Sequence, residues 1–139
     1  MNSVVGECFC KKIKFKITFP TDSVSHCHCE SCRKSHGSAF VTWSWVPRNQ
    51  FEFLSGENSI KKYSSSSSVN WCFCSNCGSS LLYEHKETPE IIYFTVANIS
   101  GELDEKASRH VSFEEHVNWF KFKDDLPKFK EKSEERILE

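Results

Sequence analysis

The chain has 139 residues, enough for one domain with a substantial core and too few for two full-sized ones. Lys and Arg number 18 against 19 Asp and Glu, and this near-balance excludes a global field that would draw the chain to nucleic acid or membrane. No apolar run approaches the ~18 residues of a membrane span, and the N-terminal MNSVVGECFCKK lacks a signal peptide's apolar stretch. The expectation is a cytoplasmic protein in a reducing compartment, with no membrane partner and no strong nucleic-acid signal.

Along the chain, Lys12–Phe19 alternates, with Ile13, Phe15, Ile17 and Phe19 on one face and Lys12, Lys14, Lys16 and Thr18 on the other. That period predicts a strand with one buried side. A single helical turn is expected after Glu30. Strands are expected at Phe40–Val46, Phe51–Leu54, Ser59–Ser64, Val69–Phe73, Ser80–Tyr83, Ile91–Val96 and His110–Phe113, with a short turn at Pro47–Gln50. Pro20, Pro47, Gly56, Gly78, Pro89 and Gly101 punctuate them. Ser64–Ser68 reads as an exposed hairpin connection, and the charged tail from Lys128 as a frayed or helical surface segment. Many short strands with frequent turns indicate a mainly β, mostly antiparallel domain, whose core the twelve Phe, four Trp and three Tyr can fill.

The eight cysteines fall in three groups: Cys8-Phe-Cys10, Cys27-His-Cys29-Glu-Ser-Cys32 and Cys72-Phe-Cys74-Ser-Asn-Cys77. Neighbours this close strain a disulfide but converge easily on a metal, because thiolates around tetrahedral zinc sit roughly 3.8 Å apart. Cys74–Gly78 has the pattern of a zinc knuckle, and a C-x-C on an extended strand places both sulfurs on one face. Spacing leaves two partitions open. Eight sulfurs can make two closed four-sulfur sites, or Cys8, Cys10, Cys74 and Cys77 can close one site and leave Cys27, Cys29 and Cys32 around an open one. Closed sites are structural and open sites catalytic, so the partition decides the function.

These residues resemble the centromere-protein-V / glutathione-dependent formaldehyde-activating enzyme family. The resemblance rests on G-E-C-F-C at Gly6–Cys10, C-H-C-E-S-C-R-K at Cys27–Lys34, S-H-G-S-A-F at Ser35–Phe40 and V-P at Val46–Pro47. It continues through F-C-S-N-C-G-S-S-L at Phe73–Leu81, H-V-S-F…W-F at His110–Phe120 and D-D-L-P at Asp124–Pro127. It implies a β-tent of antiparallel sheets stapled by zinc over residues 1–130, followed by a charged tail at 131–139. It also implies a structural zinc on Cys8, Cys10, Cys74 and Cys77 and a labile one on Cys27, Cys29 and Cys32. The implied activity is that of a carbon–sulfur lyase on a thiol adduct such as S-hydroxymethylglutathione, with glutathione as the small-molecule partner.

Cys27, Cys29 and Cys32 are then the catalytic set, with Arg33 and Lys34 either meeting a carboxylate of glutathione or standing on an ordinary solvated turn. Alternation points His28 away from the metal; His26 and His36 read first as surface histidines, with a proton-transfer or ligand-supporting role near the trio as the alternative, and His110 as packing or site. Trp43 and Trp45 fall on one face of their strand, as core or pocket lining. Cys72 lies outside the family pattern and reads first as a buried spectator, with a spare ligand or a redox partner as alternatives. Against the enzyme stand a non-catalytic zinc scaffold for a protein partner and a thiol or metal sensor.

Overall fold

In a computed structural model, residues 2–131 and the backbone of 136–137 are described. The strands are β1 (Ser3–Glu7), β2 (Lys14–Thr18), β3 (Ser25–Cys27), β4 (Val41–Pro47), β5 (Phe51–Ser55), β6 (Ile60–Ser64) and β7 (Val69–Cys74). They continue as β8 (Ser80–His85), β9 (Ile91–Thr95), β10 (Ile99–Ser100), β11 (Arg109–Val111), β12 (Lys128–Phe129) and β13 (Arg136–Ile137). One α-helix, α1 (Glu30–His36), follows β3 and is two turns long where one was expected. The fold is mainly β, as the sequence indicates.

The chain divides into two compact units. One holds the residues up to Asp22 together with Ser44–Glu105, and the other Ser23–Trp43 with the residues from Lys106 onward.

The first unit contains a four-stranded antiparallel sheet in the order β10-β1-β2-β5, and a meander in which β6, β7, β8 and β9 pair in succession. The alternation is realised at Ile13, Phe15 and Ile17, which have no exposed surface, while the strand itself is shorter than Lys12–Phe19 and Phe19 beyond its end is only partly buried. Beside them Val4, Val46, Leu81, Leu82, Ile92 and Phe94 complete the core. Gly6 pairs with Phe15 across β1 and β2, and a Cβ at that position would lie 2.4 Å from the Phe15 ring. The ring therefore lies over a bare backbone position that only glycine provides. Ser65–Ser68 connects β6 and β7 and is exposed at Ser65–Ser67, while Ser64, expected in the connection, ends β6.

In the second unit, β3 pairs antiparallel with the start of β4 and parallel with β11, aligning His110 with His26 and Val111 with Cys27. Strand β12 adds to β11 in parallel, and β13 pairs with β12 in antiparallel sense. Lys128–Phe129 and Arg136–Ile137 are thus strands, with a turn at Glu131, which corrects the expectation of a frayed or helical segment from Lys128. The physical reason is a partner: Arg109 lies over the Phe129 ring at 4.7 Å and the His110 N–H donates to the Pro127 carbonyl, giving this stretch a strand edge to join. Residues 132–135 and 138–139 of that tail lie outside the described residues.

Candidate metal centres

None of the eight cysteines is in a disulfide. Among the described residues, two groups bring their sulfurs within 4.8 Å of one another: Cys8, Cys10, Cys74 and Cys77, and separately Cys27, Cys29 and Cys32.

The four-sulfur group belongs to the first unit and is built from two turns. Cys8 and Cys10 flank a turn just beyond β1, closed by the Lys11 N–H on the Cys8 carbonyl at 3.0 Å. This C-x-C is therefore a turn; on an extended strand both sulfurs would lie along one face, whereas here the turn folds them together. Phe9 between them projects outward, 87 % exposed. Cys74 ends β7 and Cys77 follows in a knuckle closed by the Gly78 N–H on the Cys74 carbonyl at 2.8 Å, with Gly78 at φ 80°. That left-handed turn is one glycine adopts freely.

Sulfur–sulfur distances are 3.6 Å from Cys8 to Cys10 and 3.9 Å from Cys10 to Cys74. Backbone N–H groups reach the sulfurs as well: Ile13 donates to Cys8 at 3.3 Å, and Asn76 and Cys77 each donate to Cys74 at 3.4 Å. Burial, together with the neighbouring sulfurs, pushes the Cys8 thiol up to about 11. Hydrogen bonds from the Ser79 hydroxyl and backbone hold Cys77 near 5, and the Asn76 side chain lowers Cys10. Crowded thiolates repel one another until a cation shares their charge. The sulfur spacing, the all-thiolate donor set and the N–H···S bonds fit zinc.

The three-sulfur group belongs to the second unit. Cys27 ends β3; Cys29 caps α1 with extended backbone and accepts the Cys32 N–H on its sulfur at 3.3 Å; Cys32 is buried in the helix. The Cys32 and Cys27 sulfurs are 3.6 Å apart. Hydrogen bonding with Cys29 and burial push Cys27 up to about 11, and its two sulfur neighbours hold Cys32 far above the ordinary thiol range. The indole N–H of Trp43, supplied by β4, donates to the Cys32 sulfur at 3.4 Å. This donor set also fits zinc, with three sulfurs where a tetrahedral ion takes four ligands.

Other candidates are placed as follows. Cys72 is in neither group; it is buried in the first unit's core, and burial pushes it up to about 12. Trp45 packs near Tyr93, with ring centroids 6.4 Å apart. Arg33 donates from Nε to the His28 carbonyl at 3.2 Å, and Lys34 pairs with Glu30 at 2.8 Å on the helix surface.

His26 and His36 are not surface histidines. His26 bonds Thr42 at 2.8 Å, and burial followed by the charge of His110 lowers its pKa. His36 lies against the Trp43 ring and is brought down to about 4 by burial. His26 lies on β3 opposite Thr42 of β4, and His36 meets Trp43 of β4, contacts that single-strand periodicity cannot reveal. His28 is fully buried, and its Nε2 lies 2.7 Å from Nδ1 of His110. Its pKa is brought down to about 3, first by burial and then by the neighbouring charge of His110. Sequence reasoning did not single out Trp43 as a sulfur partner or Asp124 as a partner of His110. The D-D-L-P segment in the resemblance was the one available pointer.

The protein is mainly β and carries a four-cysteine and a three-cysteine cluster, each of which could hold a metal ion. The model of the glutathione-dependent formaldehyde-activating enzyme family matches residues 3–119, and the chain belongs to that family. It is 35% identical over 80 residues to a Schizosaccharomyces pombe protein named "uncharacterized lyase C29B12.13", a match covering 58% of this chain and 56% of the relative. The chain thus spans little more than half the length of that curated relative. A solved Rhodobacter sphaeroides protein has a similar fold, with TM-score 0.60 at 18% identity over 72% of this chain and 91% of the other. Among the described residues, no helix is long and apolar enough to cross a membrane.

Proposed function

We propose that the chain is a zinc-dependent carbon–sulfur lyase acting on a thiol adduct such as S-hydroxymethylglutathione. The observation that carries this reading is the unequal division of sulfurs, four in one cluster and three in the other. Cys8, Cys10, Cys74 and Cys77 hold a structural zinc. Cys27, Cys29 and Cys32 hold a second one that keeps a coordination position for substrate. Bound there, zinc supplies Lewis-acid polarisation and lowers the pKa of a thiol. In the synthetic direction a carbon–sulfur bond forms between glutathione and formaldehyde, the carbonyl π bond breaks, and the thiol proton ends on oxygen. The reverse step cleaves the same bond, and neither direction is a net redox change.

The residues around the trio set its reach. Trp43 fixes the Cys32 sulfur with an N–H, and Cys29, on the rim of α1, is more open than its two buried neighbours. Arg33 and Lys34, on the same helix, offer cationic groups to a glutathione carboxylate, Lys34 exchanging its surface pairing with Glu30 for it. Membership of the family and the lyase name of the fission-yeast relative support the reaction class.

Exchange spectroscopy between glutathione and its hydroxymethyl adduct tests the reading with the zinc-loaded protein. The wild type should accelerate exchange over the uncatalysed rate, and Cys29→Ser should return it to that rate while the fold survives. A wild type that leaves exchange unchanged would remove formaldehyde–glutathione chemistry from the account.

A further inference from the structure

Residue 28 sits on the peptide that joins two of the three clustered sulfurs, and nearly every polar group it owns is held. Its N–H donates to the Val111 carbonyl at 3.0 Å, its carbonyl accepts from Arg33 Nε at 3.2 Å, and its Nε2 meets His110 Nδ1 at 2.7 Å. His110, 1% exposed, places its other nitrogen 3.0 and 2.9 Å from the two carboxylate oxygens of Asp124. The Leu126 N–H in turn donates to Asp124 Oδ1 at 3.0 Å. Around the His28 ring stand Phe40, Phe113 and Phe122, with centroids 5.4, 4.9 and 4.7 Å away.

Hydrogen bonding gives this chain one direction. An ionised carboxylate only accepts, so His110 donates from Nε2, and a ring carrying that single proton accepts at Nδ1. His28 must then donate from Nε2, which leaves its Nδ1 as a bare acceptor. That atom is buried and has no hydrogen-bond partner among the described residues. Packing does not account for the arrangement, because two buried imidazoles in an aromatic shell cost desolvation that a leucine in the same space would not. What the chain does achieve is to fix one ring orientation and one tautomer on the segment between Cys27 and Cys29.

We propose that His110 and Asp124 are positioning residues for the Cys27, Cys29 and Cys32 cluster, acting through the His28 ring to hold the segment that carries two of its sulfurs. The inference rests on the reading of that cluster as a metal site. Groups of this kind behind metal ligands typically change metal affinity roughly 10–100-fold when removed. Asp124 is 41% exposed, so its replacement leaves the core intact.

The test uses the full, zinc-loaded chain in two measurements. Long-range proton–nitrogen spectra of the imidazoles should show His28 and His110 each protonated at Nε2 only. In Asp124→Asn, whose amide can accept or donate, a second set of tautomer signals should appear. Chelator competition should then release the labile zinc, identified by its absence in Cys29→Ser, roughly tenfold faster from Asp124→Ala, with the tightly held zinc unaffected. If Asp124→Ala does not fold, Asp124→Asn carries the release measurement in the same direction. A His28 protonated at Nδ1 in the wild type would overturn the proposal, as would unchanged release. Both zincs loosening together with the melting temperature would also overturn it, by showing a structural role alone. A wild type inactive in thiol–aldehyde exchange but with the expected tautomers and release would reject the reaction and leave the positioning role standing.

Discussion

Replacing Cys74 with serine removes one sulfur of the four-cysteine cluster at a side chain with no exposed surface. The Cys74 sulfur accepts two backbone N–H groups at 3.4 Å and lies 3.9 Å from Cys10, so one atom ties the knuckle to the first turn. It also belongs to the core that contains Ile13, Phe15 and Leu81, and its loss reaches beyond the metal. Structural zinc in small peptides contributes about 10–16 kcal/mol of apparent binding free energy, as much as the ~5–15 kcal/mol stability of a whole domain. Forfeiting even ~3 kcal/mol of this would lower Tm by roughly 6–12 °C in a chain of this size. The assay is thermal unfolding with zinc present, with Cys29→Ser as the comparison. Cys74→Ser should melt at least ~6 °C lower or aggregate, and Cys29→Ser should stay near the wild type. A Cys74→Ser protein melting with the wild type, or equal losses in both variants, would refute the division of labour between the clusters.

Two further outcomes follow from buried groups away from the trio. Glu84 accepts from Arg48 and Lys62 at 2.8 Å and from Asn70 at 3.0 Å; burial alone would raise its pKa, but these bonds bring it from 4.5 to about 2. A depressed folded-state pKa stabilises above the unfolded value and is lost as pH falls through the folded one. Glu84→Gln should therefore cost about 1–2 kcal/mol at neutral pH, discounted for the half-exposed Arg48 and Lys62, with the difference from wild type shrinking between pH 4.5 and 2 in denaturant titrations. Cys72→Ala should cost about 1 kcal/mol of core packing and leave zinc content unchanged; a lost zinc equivalent would make Cys72 a ligand.

Much of this was legible in the residues. The period-two run through Ile13, Phe15 and Ile17 announces a strand because each of those side chains is buried on one face. Strands β1 and β3 were not read, since Ser3–Glu7 carries a glycine and polar ends, and three residues at Ser25–Cys27 are too few to show a period. Short spacing brings Cys27, Cys29 and Cys32 together by itself. The pairing of Cys8 and Cys10 with Cys74 and Cys77 depends on the fold, which is why spacing left two partitions open. The histidines escaped for the same reason: His28 meets His110 only because β3 and β11 run side by side, and no local pattern records that.

The central claim is that one cluster is closed by four sulfurs and the other holds a metal with three. X-ray absorption at the zinc edge, on the wild type and on Cys29→Ser lacking the labile ion, measures this directly. The account predicts two zincs per wild-type chain, four sulfurs around the zinc that remains in Cys29→Ser, and three sulfurs with one lighter ligand around the other. A single zinc in the fully loaded wild type, or a second zinc with four sulfurs, would contradict it.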